Sequence, residues 1–183
     1  MSTLTLGGST LANKTGSVVS INDGVILPAG SVLQVQTGFS NSAIEMSATT
    51  GVRNIGVSAS ITPKFSGSTV LVYASMQCSS SASSGLGLTI KRTGPSDQTL
   101  QKGDGNGTGM NAGKITFFAS SNWSNMLVPL AGMFTDTTQD ATTSHVYNIQ
   151  LDTNNSVGVM INRRWSSLIW MGTTQIVVME IKA

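Results

Sequence analysis

The chain has 183 residues, 10% of them charged and 39% hydrophobic, and a formal net charge of +2. That length suits one domain with an arm, the charge lies well under the roughly 25% of ordinary soluble domains, and the apolar content is too high for a disordered chain. So small a net charge leaves no electrostatic footprint for nucleic acid or an acidic membrane, the single cysteine excludes an intrachain disulfide, and no run approaches the roughly 20 apolar residues of a membrane span.

Residues 1–28 read as an extended N-terminal arm. Leu4, Leu6 and Leu11 are separated by Thr, Gly, Ser and Asn, and Val18, Val19 and Ile21 suit a short strand. So sparse a segment cannot build a core alone. It is either a frayed terminus or an arm that orders against another subunit, and these six residues are the candidate arm contacts. Its first sixteen residues lack a basic segment followed by an apolar one, so no secretion signal is expected.

Pro28-Ala29-Gly30 turns the chain into a domain spanning 29–183. Residues 31–37 predict a strand and 38–53 a polar loop tethered by Ile44 and Met46. Ile55, Val57, Ala59 and Ile61 then alternate with small polar residues, as do Val70, Val72, Ala74, Met76 and Cys78. Period two marks strands with one dry face. Between them Pro63 cannot donate to a ladder and Gly67 can take φ > 0, which predicts a turn and a central β-hairpin. Cys78 on a dry face predicts a buried, inert thiol.

Residues 79–84 are a low-complexity connection. Leu86, Leu88 and Ile90 predict a half-buried strand, with brief pairing expected at 99–101. Residues 115–119 and 126–132 suit buried strands, and Pro129 puts the second at an edge or bulge. Tyr147, Ile149 and Leu151 alternate, 152–156 reads as a hairpin turn, and Val157, Val159 and Ile161 return from it. Residues 163–172 read as a loop with two tryptophans. The closing strand, 175–181, is apolar on both faces and so central. No helical stripe exceeds two turns, and many short strands with regular turn signals predict an all-β antiparallel sandwich.

Few motifs carry chemistry. Gly103-Asp104-Gly105-Asn106-Gly107-Thr108-Gly109 opens like an EF-hand, but Ile115 stands where the bidentate Glu belongs, so a surface loop over 102–113 is the better reading. One His, His145, and one Cys make a structural zinc site implausible, and His145 is expected at an edge or subunit contact. No cofactor is implied. Asp136 and Asp140 are the one close acidic pair for glycan hydrolysis. Trp123, Arg163, Arg164, Trp165 and Trp170 lie in or beside predicted loops, and Trp and Arg are typical interface anchors, so these are candidate partner or receptor contacts, with loop-spanning core tryptophans as the alternative.

Stretches 26–36 (ILPAGSVLQVQ), 61–72 (ITPKFSGSTVLV), 102–105 (KGDG), 144–151 (SHVYNIQL), 161–164 (INRR) and 174–183 (TQIVVMEIKA) together resemble the short β-rich virion proteins of tailed bacteriophages, marine and cyanobacterial phages above all. The resemblance covers residues 26–183. It departs at Phe134-Thr135-Asp136-Thr137-Thr138, which lacks the proline common in that family. It implies a jelly-roll-like sandwich assembled as a homotrimer on the virion, made in the host cytoplasm. The function it implies is non-enzymatic, most simply a capsid decoration (cement or head-fibre) protein whose arm lies along the major capsid protein. The alternative is a short tail fibre that meets a tail protein and binds a host receptor, such as a surface glycan, through Trp123, Trp165 and the 102–113 loop. Neither nucleic-acid binding nor membrane insertion is implied.

Overall fold

The computed structural model describes residues 2–6, 9–15, 18–21, 28–100, 115–118, 126–137 and 143–183. Wherever small polar and apolar residues alternate, these residues form strands. In chain order they are β1 (Ser2–Leu6), β2 (Ser9–Thr15), β3 (Val18–Ile21), β4 (Val32–Ser40), β5 (Ile44–Ile61), β6 (Thr69–Ser80), β7 (Gly85–Thr93), β8 (Gln98–Leu100), β9 (Ile115–Phe118), β10 (Val128–Asp136), β11 (His145–Ile161), β12 (Arg163–Arg164), β13 (Ser167–Met171) and β14 (Thr174–Ile181). The protein is all-β, an antiparallel β-sandwich, as the sequence predicts.

Backbone pairing sorts the strands into two layers. In the first, β14 lies between β4 and β6, and β6 carries β10 on its other side. In the second, β11 lies between β5 and β7, and β7 also pairs with β8 and β9. A short ladder joins the layers at one corner, where Val159–Ile161 of β11 pair with Cys78–Ser80 of β6. The closing strand β14 is internal, as its apolar composition predicts. β10, with Pro129, has β6 as its partner among the described residues, which suits an edge position.

The core lies between the layers. From the first come Val70, Val72, Ala74, Met76, Cys78, Ile176 and Val178; from the second, Ile55, Val57, Ala59, Ile61, Leu88, Ile90, Tyr147, Ile149 and Leu151. At the sandwich margin β4 meets β5 so closely that a Cβ on Gly38 would collide with the Ser58 carbonyl, so the crossing requires glycine there.

Two buried polar clusters stitch the layers together. Arg92 (β7) donates through Nη1 to both Asp136 (β10) carboxylate oxygens at 2.9 and 2.8 Å, and through Nη2 to Ser96 Oγ at 3.0 Å. Tyr147 (β11) donates its hydroxyl to Asp136 Oδ2 at 3.0 Å. The Arg92 and Asp136 side chains are only 2% and 1% exposed. Elsewhere, buried Glu180 (β14) accepts the Lys64 and Phe65 backbone N–H groups at 2.8 and 3.2 Å and Gln34 Nε2 at 2.7 Å. That carboxylate fixes the turn between β5 and β6.

Five local expectations are corrected. The strands β5 and β6 do not form a hairpin: each pairs with other strands, and the turn at 63–67 carries the chain from one layer to the other. Two strands with one dry face each bury both faces best by lying across the core from one another. Residues 38–53 are not a loop but the end of β4 and most of β5, because ladder pairing to β14 and β11 overrides their polar composition; Ile44 and Met46 do pack against the core. Residues 152–156 do not turn. β11 runs through them, and its pairing with β5 slips between Thr153 and Val157, so the turn-prone residues are absorbed as a bulge. Residues 163–172 are a two-stranded hairpin, β12–β13, rather than a loop. The strand β7 is also buried on both faces over Gly85–Ile90 rather than half-buried.

Among the described residues of the N-terminal segment, β1, β2 and β3 pair antiparallel among themselves. A strand was expected only at Val18–Ile21; the two earlier ones, with Leu4, Leu6 and Leu11, carry too little apolar periodicity to announce themselves.

Cys78 is fully buried, its thiol donating weakly to the Val128 carbonyl, and burial pushes its pKa from 9.0 up to about 12. Above pH 9 the unfolded chain therefore loses this proton while the folded chain keeps it, which favours unfolding. Stability falls between about pH 9 and 12, at the limit by tenfold in the folding equilibrium per pH unit. Denaturation midpoints of wild type and Cys78→Ala at pH 8 and 10.5 check this: the alkaline loss is larger in wild type.

Candidate interaction surfaces

The candidate contact residues Arg163, Arg164 and Trp165 are brought together in the β12–β13 hairpin, and one residue missed in the sequence sets that hairpin's direction. Asn162 ends β11 with φ 63°, a left-handed conformation that Asn tolerates better than most residues. It is fully buried and its amide is engaged on both sides. Nδ2 donates to the carbonyls of Ser40 and Ser42 at 2.9 and 3.0 Å, and Oδ1 accepts the Thr174 hydroxyl at 2.8 Å. Its backbone N–H donates to Gln77 at 2.8 Å, and its carbonyl accepts the Gly172 N–H at 2.7 Å. Asn162 thus ties β4, β6, the hairpin and β14 together. The signal was present in the sequence as an Asn between an alternating strand and Arg-Arg-Trp.

Trp165 lies on the backbone of β11. A Cβ at Gly158 would stand 2.5 Å from its Cη2, so the indole occupies the space a side chain there would need. Trp165 is half-buried, which fits the clasp of a hairpin. Arg163 and Arg164 are half-buried too, and the Arg163 carbonyl accepts the Ser79 hydroxyl at 3.0 Å. Trp170 lies within β13. Trp123, Asp140 and the 102–113 loop lie outside the described residues. Beside the hairpin, Asn41, Gln77, Met171, Gly172 and Thr173 line an open depression of about 450 Å3.

The acids with described partners are committed to structure. Asp136, the half of the acidic pair that is described, is buried against Arg92 and Tyr147, so the hydrolytic pairing with Asp140 finds no open carboxylate there. Glu180 is bound by backbone amides. Asp97 meets Lys91 at 2.8 Å on the surface, and that hydrogen bond holds its carboxyl below the usual range. Arg53, its pKa lowered by burial and raised by the nearby Asp152, bonds Thr153 Oγ1 at 3.4 Å. His145 corrects its expectation: it is 2% exposed at the start of β11, inside the domain rather than at a contact, and neither ring nitrogen has a hydrogen-bond partner. Among the described residues no three His, Cys, Asp or Glu cluster as metal ligands would.

The two outer faces of the sandwich differ. Registers across the first layer give the rows Val35–Met179–Leu71–Thr135, Thr37–Val177–Tyr73–Met133 and Phe39–Gln175–Ser75–Ala131. None of these residues is charged, and Phe39 is 76% and Met133 54% exposed. The second layer gives Ser60–Val146–Thr93, Ser58–Asn148–Lys91 and Asn54–Gln150–Thr89. Asn148 Nδ2 donates to Thr93 Oγ1 at 3.3 Å there, whereas the buried Thr89 hydroxyl has no hydrogen-bond partner. The first face is uncharged and largely apolar; the second is polar along β5 and β11, while Thr89 at the end of its third row is fully buried.

Comparison with known proteins finds no matching family model and no matching curated relative.

Two substitutions check the hairpin's support. Asn162→Ala leaves the Ser40 and Ser42 carbonyls unpaired and puts an unsuited residue at positive φ; it is expected to cost about 3 kcal/mol in urea denaturation, and Asn162→Gly less, because glycine removes the strain. Gly158→Ala displaces the Trp165 indole, so tryptophan emission should shift to longer wavelength while far-ultraviolet dichroism stays unchanged.

Proposed function

We propose that this protein is a non-enzymatic structural subunit of a tailed-phage virion surface, assembled with copies of itself, most simply as a trimeric capsid decoration protein. The observation that carries the reading is the difference between the two faces: one is polar along β5 and β11 and the other is uncharged and largely apolar, which suits a domain packed on one side and wet along β5 on the other. A surface so poor in charge also packs against copies of itself without like-charge repulsion.

Three further features support it. The order β4-β14-β6-β10 facing β5-β11-β7-β8, with β7 and β8 adjacent in one layer and the other successive strands of this set in opposite layers, supports a jelly-roll reading of the sandwich, an architecture common in viral shells. The buried acids Asp136 and Glu180 are engaged in holding the fold. The N-terminal segment forms its own small sheet, β1–β3, which suits a separate attachment element. Many such weak attachments stabilise a shell by mass action.

Deleting residues 1–28 is expected to abolish binding to particles while the sandwich keeps its β-type dichroism. Truncated protein that still decorates capsids fully would remove the arm from the mechanism. Immunogold labelling of intact virions is expected over the whole head; label confined to the tail would replace decoration by receptor binding.

A further inference from the structure

We propose that the outer face of the β4-β14-β6-β10 layer is the surface through which copies of this chain associate. The inference rests on the structural-subunit reading above and goes beyond it by naming the surface and its occupant.

The occupant is argued from the chemistry of the face. Its three rows of paired residues hold no Asp, Glu, Lys or Arg, so they present no charge pattern for a differently charged partner to complement. A face without charge is complementary to itself. Val35 (49% exposed) and Phe39 (76%) stand at one side, Met133 (54%) at the other, with Tyr73, Val177 and Met179 half-buried between them. Aromatic and Met side chains are those enriched where proteins meet.

Size agrees. Four strands about 4.8 Å apart and five residues at roughly 3.4 Å each give a flat footprint of about 330 Å2. That matches the largest apolar patch a monomer ordinarily leaves open, and corrugated side chains enlarge it toward the roughly 800 Å2 that a stable contact takes from each partner. The opposite layer's polar rows supply an internal control: they lie on the same domain and are not expected to associate.

The experiment is sedimentation equilibrium of the full chain at micromolar concentration. Wild type is expected at two or three times the monomer mass. The double variant Val35→Glu/Phe39→Glu, in exposed positions and so compatible with folding, is expected to run as a folded monomer, with association weakened at least tenfold. Ser60→Glu, on the polar face, is expected to keep the wild-type mass. A monomeric wild type overturns the inference, as does a double variant that keeps its mass or a Ser60→Glu variant that dissociates equally. Monomeric wild type that still labels virions assigns the face to a shell protein and leaves the virion reading standing. Association through this face without any labelling of particles does the reverse.

Discussion

The Arg92–Asp136 pair, with Tyr147 bonded to the same carboxylate, is the constraint on which the sandwich depends. It joins a strand of one layer to a strand of the other through charges almost wholly removed from water. Burying such a pair costs about as much as the attraction returns, so its net contribution is small. Leaving one member unpaired is another matter, at about 3–5 kcal/mol. The pair therefore acts as a condition on assembly. Layers slid by one residue would point Asp136 or Arg92 away from its partner, because side chains alternate with period two. In a chain with so few charges, two spent at the junction of the layers make the alternatives costly. Glu180 does the same on the other side of β6, in the same cross-strand row as Asp136, where its carboxylate needs the turn at 64–65 in one place.

What was legible in the sequence follows from how far each signal reaches. Alternation is local, and it told correctly which residues face the core: Ile55 to Ile61, Val70 to Cys78, Tyr147 to Leu151. Pairing is not local. Nothing near Ile61 or Val70 reveals that their strands face each other across the core, since a turn at Pro63–Gly67 serves either a hairpin or a crossing. The residues Asp152–Ser156 carry every mark of a turn, yet β5 alongside holds β11 straight through them. Among the candidate contacts, the cluster Arg163-Arg164-Trp165 was visible by composition. Its support was not, because Asn162 and Gly158 owe their meaning to Ser40, Gln77 and the Trp165 ring, which only the fold brings near. His145 was misplaced for a similar reason: a lone polar residue at a strand start looks exposed until the neighbouring strands are known.

The faces of the sandwich carry the functional argument further than any single side chain does. Along β14 the inward residues Ile176 and Val178 are covered by the second layer, so the chain's own core explains them. The outward residues Val177 and Met179 are not explained in that way. Their strand is as apolar as a strand buried on both sides. The hairpin at Arg163–Met171 and the depression beside Gln77 lie at the end of the same layer, so Asn162, by fixing that hairpin, also sets the border of the apolar face.

The pairing of β4 with β14 has a consequence for how the domain comes into being. The strand that opens the sandwich is completed by the one that closes it, as in Val35 opposite Met179. Until β14 is in place, β4 is a strand with no ladder and β6 lacks one neighbour. Loop closure on that scale is paid in entropy before any contact rewards it, which places the domain among the slow folders, in milliseconds to seconds rather than microseconds. Through that interval an apolar, uncharged edge stands open. A chain at that stage is exposed to mispairing with any neighbouring copy before it is finished.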